Sequence, residues 1–433
     1  MVKATSIMET KAERELAPSL MDRLARRLVL GVLSGIQHGR LSVEEQGEVH
    51  LFGDVAADAT PVAHISVQHP SAWRDILLRG SVGAGEAYML GAWSSPDLTA
   101  VIRVLVLNMA TLDSMDGRRG FGLRTAFVRA GKVALQWFHL ARRNSRQGSR
   151  ANISAHYDLG NEFFALFLDR RMMYSSAIFP SENASLEDAS TAKLERICQR
   201  LQLSPSDHLL EIGTGWGGLA IYAARHYGCR VTTTTISREQ FEYASARVAE
   251  QGLRDRVTVL LQDYRDLTGS YDKLVSVEMI EAVGHAYYRS YFQRCAALLK
   301  PDGLMLIQAI TIADQRYEAA RHSVDFIQRY IFPGGSLPSV EVISRHVARD
   351  TDLTIVALDD IGLHYARTLR AWHERFMARL DAVRAQGFDD IFIRMWQFYL
   401  CYCEGGFRER SIGTVQVLLA KPRCRLEPAL GRL

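Results

Sequence analysis

The chain has 433 residues, of which 48% are hydrophobic and 23% are charged. This composition is typical of a folded globular protein and excludes a largely disordered or collagen-like chain. No apolar run approaches the ~18–20 residues of a membrane-spanning helix, which excludes a polytopic membrane protein. The first residues lack the apolar stretch of a secretory signal, and six irregularly spaced cysteines predict reduced thiols in the cytoplasm.

The net charge of +4 is concentrated in one segment. Residues 117–150 carry nine Lys or Arg and no Asp or Glu, and bulky apolar side chains lie between the bases. This mixture favours an anionic membrane surface, where each base contributes about 1 kcal/mol. A solvated linker and nucleic-acid contact are the alternatives, and no nucleic-acid-binding module accompanies the charge. We therefore expect peripheral association with the inner face of the membrane and no nucleic-acid partner.

The first predicted elements form a small α+β accessory domain over residues 1–115. Residues 48–52 alternate like a short strand, and 63–67 are predicted to pair with it. Helices are expected over 71–79 and 95–108, each capped by its first serine. The glycine-rich residues between these helices are predicted to form a turn region. They are not a phosphate loop, because no G-K-[ST] follows.

After residue 150, apolar strands alternate with helical stretches, which favours a largely parallel α/β sheet. The strands are predicted at 208–212, 230–236, 257–261, 274–277, 304–312, 353–361 and 414–421. The helices named from the pattern are 217–227, 238–251 and 287–299. The sequence therefore predicts a basic aromatic linker over 116–150 and a catalytic domain over 151–425.

A glycine-rich loop stands where the first of these strands meets its helix. It reads E-I-G-T-G-W-G-G and begins at Glu211. Gly213 and Gly215 allow a tight turn and a close approach of the backbone to a ligand. The glycine spacing of a dinucleotide site is absent. A loop that opens Glu-x-Gly-x-Gly instead suits S-adenosylmethionine (SAM), a cationic ligand that an acidic group can face. A plain strand–helix turn is the alternative.

Polar and aromatic residues follow the next two strands. Asp263 can accept a hydrogen bond from an adenine amine, and Tyr264 can stack on the ring. Thr235 and Gln240 come where ribose-binding groups often lie, and their hydroxyl and amide groups can form such hydrogen bonds without charge. These positions add support to SAM as the co-substrate.

Eight stretches, in order over residues 151 to about 420, carry a resemblance to a known family. They are HYDLGN (156–161), YSSA (174–177), EIGTGWGG (211–218), VSVEMIEAVGH (275–285), LIQAITI (306–312), DFIQRYIFPGG (325–335), HYARTLRAW (364–372) and FYLCYCEGGFR (398–408). The chain resembles the cyclopropane-fatty-acyl-phospholipid synthases, including the mycolic acid cyclopropane synthases. The resemblance implies a class I SAM-dependent methyltransferase fold, which is Rossmann-like with a seven-stranded, mostly parallel sheet. It also implies a lipid-facing or oligomerisation role for the N-terminal domain, the latter giving a homodimer.

The implied activity is transfer of the SAM methyl carbon to a cis double bond of an unsaturated phospholipid acyl chain. The carbon then bridges both alkene carbons as a cyclopropane ring. Methyl attack leaves a carbocation, so the site must exclude water and hold one well-placed base. By resemblance, that base is a bound bicarbonate ion. Two alternatives stay open: a methylene- or methyl-branched product, and a non-catalytic lipid-binding protein on the same scaffold.

The bicarbonate ligands of the family map onto this chain one at a time. Glu281 matches the carboxylate that orients the ion, Ile310 matches the backbone contact, and Tyr365 matches the tyrosine. Ser176 stands in place of a cysteine and Gln308 in place of a histidine. Both can still hydrogen-bond the ion, but Gln308 cannot titrate near pH 7 as a histidine can.

The resemblance also implies SAM contacts and one cysteine. The SAM contacts carry over to Tyr174, Ser175, Gly213, Gly215, Thr235, Gln240 and Tyr264. Cys403 matches a family cysteine to which a catalytic role is sometimes assigned, although the reaction requires no thiol nucleophile. Glu278, three residues before Glu281, is the alternative partner for paired acid–base work. Cys401 and Cys403 have no second Cys pair, so no metal site is predicted.

Overall fold

The computed structural model describes residues 18–54, 61–109 and 159–427. These residues form two units. Unit 1 combines the described residues up to 109 with 322–331 and 380–409, and unit 2 contains the remaining described residues. The predicted basic segment over 117–150 and the residue His156 lie outside the described residues.

Unit 1 begins with helix α1 (Leu20–Leu33), whose N-cap Ser19 forms a capping box with Asp22. A four-stranded sheet follows, with the strand order β2-β1-β3-β4. Its strands are β1 (Gly39–Glu45), β2 (Glu48–Asp54), β3 (Val62–Val67) and β4 (Trp93–Ser94). The predicted strand at 48–52 is confirmed, but its pairing with 63–67 is wrong. Strand β1, which the sequence analysis did not predict, pairs with both of them and separates them.

Helix α2 (Ser71–Met89) runs through the region predicted to be a turn. It kinks at Gly80, where φ is +54°, and then continues. The prediction of a turn is wrong, because Gly85 lets the Phe326 ring of the same unit pack closely on the helix. A Cβ atom at Gly85 would clash with this ring.

Both predicted serine caps are also wrong. Pro70 precedes α2 as the N-cap residue, and it forms no side-chain cap. Helix α3 (Leu98–Leu107) is capped by Asp97, whose carboxylate accepts a hydrogen bond from the Ala100 amide at 2.8 Å. An Asp carboxylate is as good a cap as a serine hydroxyl, so the sequence alone left the start of this helix ambiguous.

Unit 2 holds a seven-stranded sheet with the order β10-β11-β9-β8-β5-β6-β7. Its strands are β5 (His208–Ile212), β6 (Arg230–Thr235), β7 (Val257–Leu261), β8 (Tyr271–Val277), β9 (Leu299–Ile312), β10 (Thr354–Asp360) and β11 (Ile412–Ala420). Strands β5 to β9 pair in parallel, and β11 runs antiparallel to both of its neighbours. The predicted strands and the mostly parallel α/β sheet are confirmed.

Helices cover both faces of this sheet. They are α4 (Asn161–Ala165), α5 (Leu186–Arg200), α6 (Gly218–Tyr227), α7 (Arg238–Glu250), α8 (Tyr288–Leu298), α9 (Asp314–Ala320), α10 (Val340–Asp350) and α11 (Gly362–Met377). Adjacent residues of β5 enter different cores, because successive strand side chains point to opposite faces. Leu209 joins the core with α5 and α6, whereas Leu210 joins the core with α8 and α10. The three predicted helices are confirmed to within a residue or two.

Unit 1 is completed by a π-helical turn (Ile327–Ile331) and by helices α12 (Leu380–Ala385) and α13 (Asp390–Arg408). Helix α13 packs against α3: a Cβ at Gly405 would lie 2.6 Å from Ile102, and Arg103 pairs with Glu409 at 2.5 Å. Because of these contacts, residues 380–409 belong to unit 1, although the sequence predicts them within the catalytic domain over 151–425. Within the three described ranges, no helix is long and apolar enough to cross a membrane.

Candidate active site

The glycine loop connects β5 to α6, as predicted. Gly213, Gly215 and Gly217 have φ values of +104°, +51° and +82°, in the region that favours glycine. The amides of Gly213 and Thr214 both donate to the carbonyl of Thr234, at 3.1 and 3.0 Å, which ties the loop to β6. A Cβ at Gly215 would meet nothing within 4 Å. Glycine is therefore required there by the backbone angle, and the backbone stays accessible to a ligand.

An acidic side chain lies beneath this loop. Glu211 is buried and accepts a hydrogen bond from the Thr233 hydroxyl at 2.6 Å. Burial raises the pKa of this carboxyl to about 8, and the charge of Lys193 opposes the shift. A cationic ligand nearby favours the ionised form of such a group. The loop and its acid therefore fit SAM.

Other predicted cofactor residues lie at the ends of β6 and β7 and in the first turn of α7. The Thr235 hydroxyl donates to the Gln240 side-chain oxygen at 2.8 Å, and both residues are buried. Arg265 holds the Asp263 carboxylate through two hydrogen bonds, of 2.8 and 2.6 Å. In parallel sheets, ligands bind outside the carboxyl ends of the strands, which is where these residues stand.

An aromatic wall and a buried lysine accompany Tyr174 and Ser175. The Tyr174 ring contacts those of Phe164 and Trp372, each with centroids 5.3 Å apart. The Ser175 hydroxyl accepts a hydrogen bond from the Lys193 ammonium group at 2.7 Å. The sequence analysis missed Lys193, because one lysine on an amphipathic helix carries no local signal that it is buried.

Burial lowers the pKa of Lys193 to about 8. The charges of Glu278, Asp169 and Glu211 act in the opposite direction. The lysine is therefore the buried counter-charge of these acids.

Glu278 is the centre of a polar cluster at the end of β8. Its Oε1 accepts hydrogen bonds from the Ser176 amide at 2.9 Å and from the Gln308 side-chain nitrogen at 2.7 Å. Its Oε2 accepts one from the Tyr365 hydroxyl at 2.8 Å. The sequence analysis named Glu278 only as an alternative partner of Glu281. Its position directly after a strand was the available signal, but the three donors come from distant segments.

The orientation of the Gln308 amide is set by its neighbour across the sheet. Gln416, its partner in the β9–β11 register, donates to the Gln308 oxygen at 2.9 Å. The amide nitrogen of Gln308 therefore faces Glu278 and also contacts the Ser176 carbonyl at 3.3 Å. The Ser176 hydroxyl donates elsewhere, to the Ala177 carbonyl at 3.0 Å.

Glu281 lies on the turn that follows β8. Its Oε1 accepts a hydrogen bond from the Ile310 amide at 2.5 Å. Its Oε2 is buried, with no hydrogen-bond partner among the described residues. Burial and, after it, the charge of Glu278 raise the pKa of Glu281 to about 8. Two carboxyl groups this close titrate as a coupled pair.

Cys403 is not part of this cluster. It lies on α13, in unit 1, whereas the other predicted site residues belong to unit 2. Burial raises the pKa of its thiol far above the usual range, and the charge of Asp325 adds to the shift. A thiol in this state stays protonated and is a poor nucleophile.

Comparison with known proteins places this site in a family. The family model described as mycolic acid cyclopropane synthetase matches residues 144–417. The tuberculostearic acid methyltransferase UfaA1 of Mycobacterium tuberculosis is 41% identical over 382 residues, which cover 86% of this chain and 87% of that protein. The cyclopropane-fatty-acyl-phospholipid synthase of Escherichia coli K12 is 38% identical over 374 residues, which cover 85% and 90%.

Solved structures agree with the family model. The cyclopropane synthase MmaA2 from Mycobacterium tuberculosis superposes with a TM-score of 0.59 at 31% identity. The mycolic acid cyclopropane synthase CmaA1, complexed with SAH and CTAB, gives 0.59 at 30% identity. Each comparison covers 63% of this chain and 98% of the other. The predicted class I methyltransferase fold is confirmed, and the chain belongs to the mycolic acid cyclopropane synthetase family of SAM-dependent methyltransferases.

Proposed function

We propose that this protein transfers the methyl carbon of SAM to the cis double bond of an unsaturated phospholipid acyl chain, and that the product is a cyclopropane ring. The observation that carries the proposal is the pair of acids, Glu278 and Glu281, at the strand ends beside the glycine loop. When bound, SAM supplies an electrophilic methyl group. An alkene that attacks it becomes a carbocation and needs a base nearby, which this pair can provide.

The residues that would hold SAM come from the segment before α5, from the carboxyl ends of β5, β6 and β7, and from the first turn of α7. They are Tyr174, Ser175, Glu211, Gly213, Gly215, Thr235, Gln240, Asp263 and Tyr264. The positive φ angles of the loop glycines and the buried acid Glu211 support this assignment.

The surroundings suit a carbocation on the acyl chain. Aromatic rings stabilise nearby cations by about 0.5–2 kcal/mol each. The Tyr174 ring contacts Trp372, which in turn lies 6.1 Å from the Tyr365 ring. These side chains also exclude water, which would otherwise capture the cation.

A bicarbonate ion does not fit the residues that the resemblance assigns to it. The Ser176 amide, the Gln308 side-chain nitrogen and the Tyr365 hydroxyl all donate to Glu278. The Ile310 amide donates to Glu281. The donors expected to bind the ion therefore bind protein carboxylates, and an ionised Glu278 would repel a further anion here.

A methylene- or methyl-branched product is the second candidate. It is favoured by the 41% identity with a tuberculostearic acid methyltransferase, because tuberculostearic acid is a methyl-branched fatty acid. Cyclopropane and branched products arise from the same methyl transfer. A hydride shift to the cationic carbon before the proton is lost gives a methylene branch, and a separate reduction then gives a methyl branch. The choice therefore depends on whether the base removes the proton before or after the hydride shift.

Lipid analysis tests this function and separates the two products. The protein is expressed in a bacterial host that lacks such an enzyme, and its membrane lipids are compared with and without expression. A gain of one CH2 on monounsaturated chains, with upfield cyclopropane protons in the NMR spectrum, is the expected result. Olefinic methylene protons would favour the branched product. Purified protein that binds SAM but never consumes it would instead indicate a non-catalytic lipid-binding role.

We infer that the basic segment over 117–150 brings the protein to an anionic membrane. Changing four of its arginines to Gln should weaken sedimentation with anionic vesicles, most visibly at low salt. The four positions are Arg142, Arg143, Arg146 and Arg150. The matched control changes four exposed arginines of unit 2, namely Arg225, Arg230, Arg238 and Arg254. Equal losses for both sets would show that only total charge matters, and no loss would indicate a linker.

Lys193→Met should move the acid limb of the kcat/KM profile to higher pH by about one unit. The buried ammonium group is the counter-charge of Glu278 and Glu211. Without it the pKa of each carboxyl rises further, so the ionised forms appear only at higher pH. The control is Lys300→Met, at a partly exposed lysine that pairs with Asp272. An unchanged profile in Lys193→Met would contradict this role.

A further inference from the structure

We propose that the carboxylate of Glu278 is itself the base that removes the proton, in the position that the resemblance gives to bicarbonate. This inference rests on the proposed function. Its starting point is a disagreement: the side chains and amide expected to surround a free anion surround a residue of the protein instead.

The three donors come from three separate parts of unit 2. Ser176 precedes α5, Gln308 lies in β9, and Tyr365 lies in α11. Each of these donor residues is buried, whereas Glu278 is only partly buried. The donors therefore form a frame that holds the carboxylate in one orientation, and the Glu278 residue itself is not fully enclosed. A base that must touch a substrate requires this arrangement.

The backbone of Glu278 indicates the same role. Its φ angle is +49°, in the left-handed region that residues other than glycine rarely adopt. The Glu278 amide donates to the Gln308 carbonyl at 2.7 Å, which holds this conformation. Strained residues of this kind cluster at active sites, where the surrounding structure maintains them.

Glu278 and Glu281 then have different tasks. Oε2 of Glu281 has no partner among the described residues, and its Oε1 accepts a hydrogen bond from the Ile310 amide. Burial raises the pKa of Glu278, and its three donors and the buried cation Lys193 oppose this shift by favouring the ionised form. Of the two acids, Glu278 is therefore the better anion at neutral pH, and Glu281 is the better carrier of a proton.

In the proposed reaction, Glu278 acts after the methyl carbon has been transferred. The π pair of the alkene forms the new bond to the methyl carbon, and the pair of the broken C–S bond stays on sulfur. The acyl chain is left with one cationic carbon. An oxygen of Glu278 takes one proton from the delivered methyl group, and the released C–H pair closes the ring onto the cationic carbon. The proton then passes by way of Glu281 to solvent before the next turnover.

A carboxylate beside a carbocation can also be alkylated. Three hydrogen bonds occupy both lone pairs of Oε1 and one of Oε2, which reduces the nucleophilicity of the carboxylate toward carbon and leaves one lone pair of Oε2 for the proton. The donors also fix the carboxylate, so that it reaches a hydrogen of the methyl group without approaching the cationic carbon itself. Loss of these hydrogen bonds should therefore favour self-alkylation, which mass spectrometry of the protein detects.

The test compares wild type with three variants in buffer freed of carbon dioxide and in buffer with added bicarbonate. Wild-type turnover should not depend on bicarbonate. Glu278→Gln should lose at least ~100-fold in kcat and keep its SAM affinity, whereas Glu278→Asp should keep part of the activity. Glu278→Gly removes the strain of the positive φ angle and leaves the three donors available to another anion. Added bicarbonate should therefore restore the activity of this variant. A wild-type rate that falls on bicarbonate removal and returns on its addition would overturn the proposal, as would full activity of Glu278→Gln.

A second readout does not require turnover. Binding of 13C-labelled bicarbonate is followed by NMR on the wild type and on Glu278→Gly. Saturable binding to the variant alone supports the proposal, and saturable binding to the wild type overturns it. If the wild type converts no lipid, the proposed function fails while this measurement still decides what the frame binds. Titration calorimetry with SAM is the folding control, because a variant that binds SAM with normal affinity is folded.

Discussion

Glu281→Gln should make the protein more stable and far less active. Burial and the neighbouring acid raise the pKa of Glu281 to about 8 from an ordinary value of 4.5. As pH rises from 4.5 to 8, the unfolded chain loses a proton that the folded protein keeps, so stability falls over this window. The shift corresponds to at most about 5 kcal/mol, and partial access to solvent reduces it.

A neutral glutamine removes this pH-dependent cost. We expect Glu281→Gln to melt about 4 °C or more above wild type near pH 9, and at a similar temperature near pH 4.5. Thermal melts of the SAM-free protein across this range measure the effect. Turnover should fall at least ~100-fold, because an amide cannot carry the proton, while SAM affinity stays nearly unchanged. A large loss of SAM affinity, or equal destabilisation at both pH values, would contradict this assignment.

Gly213→Val should abolish useful SAM binding. The φ angle of Gly213 is +104°, which a β-branched residue cannot adopt without strain. The loop must change shape to relieve it, and the backbone groups that approach the ligand move with it. A rearrangement of about 3 kcal/mol corresponds to a loss of ~100-fold in affinity. Titration calorimetry with SAM measures this loss.

The matched control is Gly387→Val. Gly387 has a φ of +89°, is exposed, and has nothing within 4 Å of the Cβ position. It lies in the turn between α12 and α13, in unit 1. This variant should lower stability to a similar extent and leave SAM affinity unchanged. Equal losses of affinity in both variants would mean that general destabilisation explains the effect at Gly213.

The unused groups around the site fit this division of tasks. Cys403 is held protonated in unit 1, so the reaction as proposed involves no thiol. Lys193 interacts electrostatically with both Glu211 and Glu278, and burial brings the pKa values of Lys193 and Glu211 each to about 8. A cationic ligand at the loop would change the charge balance of all these groups together. The pH profile of the enzyme therefore reports on the whole network.

Much of unit 2 can be derived from local pattern. Its strands are short apolar runs separated by helical periods, and each glycine of the loop sits where a strand meets a helix. Such signals span a few residues, so the linear sequence contains them completely. The family motifs likewise predicted the fold, the methyltransferase class and the site residues Ser176, Gln308, Ile310 and Tyr365. All four lie in or beside the acid cluster.

Other features exist only in the folded chain. The glycines at positions 80 and 85 favour a turn when only the local sequence is considered. Helix α2 nevertheless continues, because Phe326 packs on it from a segment more than two hundred residues away in the sequence. The sequence indicates only that Glu278 is close to Glu281 in the chain. In the folded protein, Glu278 accepts hydrogen bonds from Ser176, Gln308 and Tyr365. The local sequence favours a surface position for Lys193. In the folded protein this lysine is buried and interacts with the charges of three acids, Glu278, Asp169 and Glu211. Each depends on contacts between distant segments, and no local pattern contains that information.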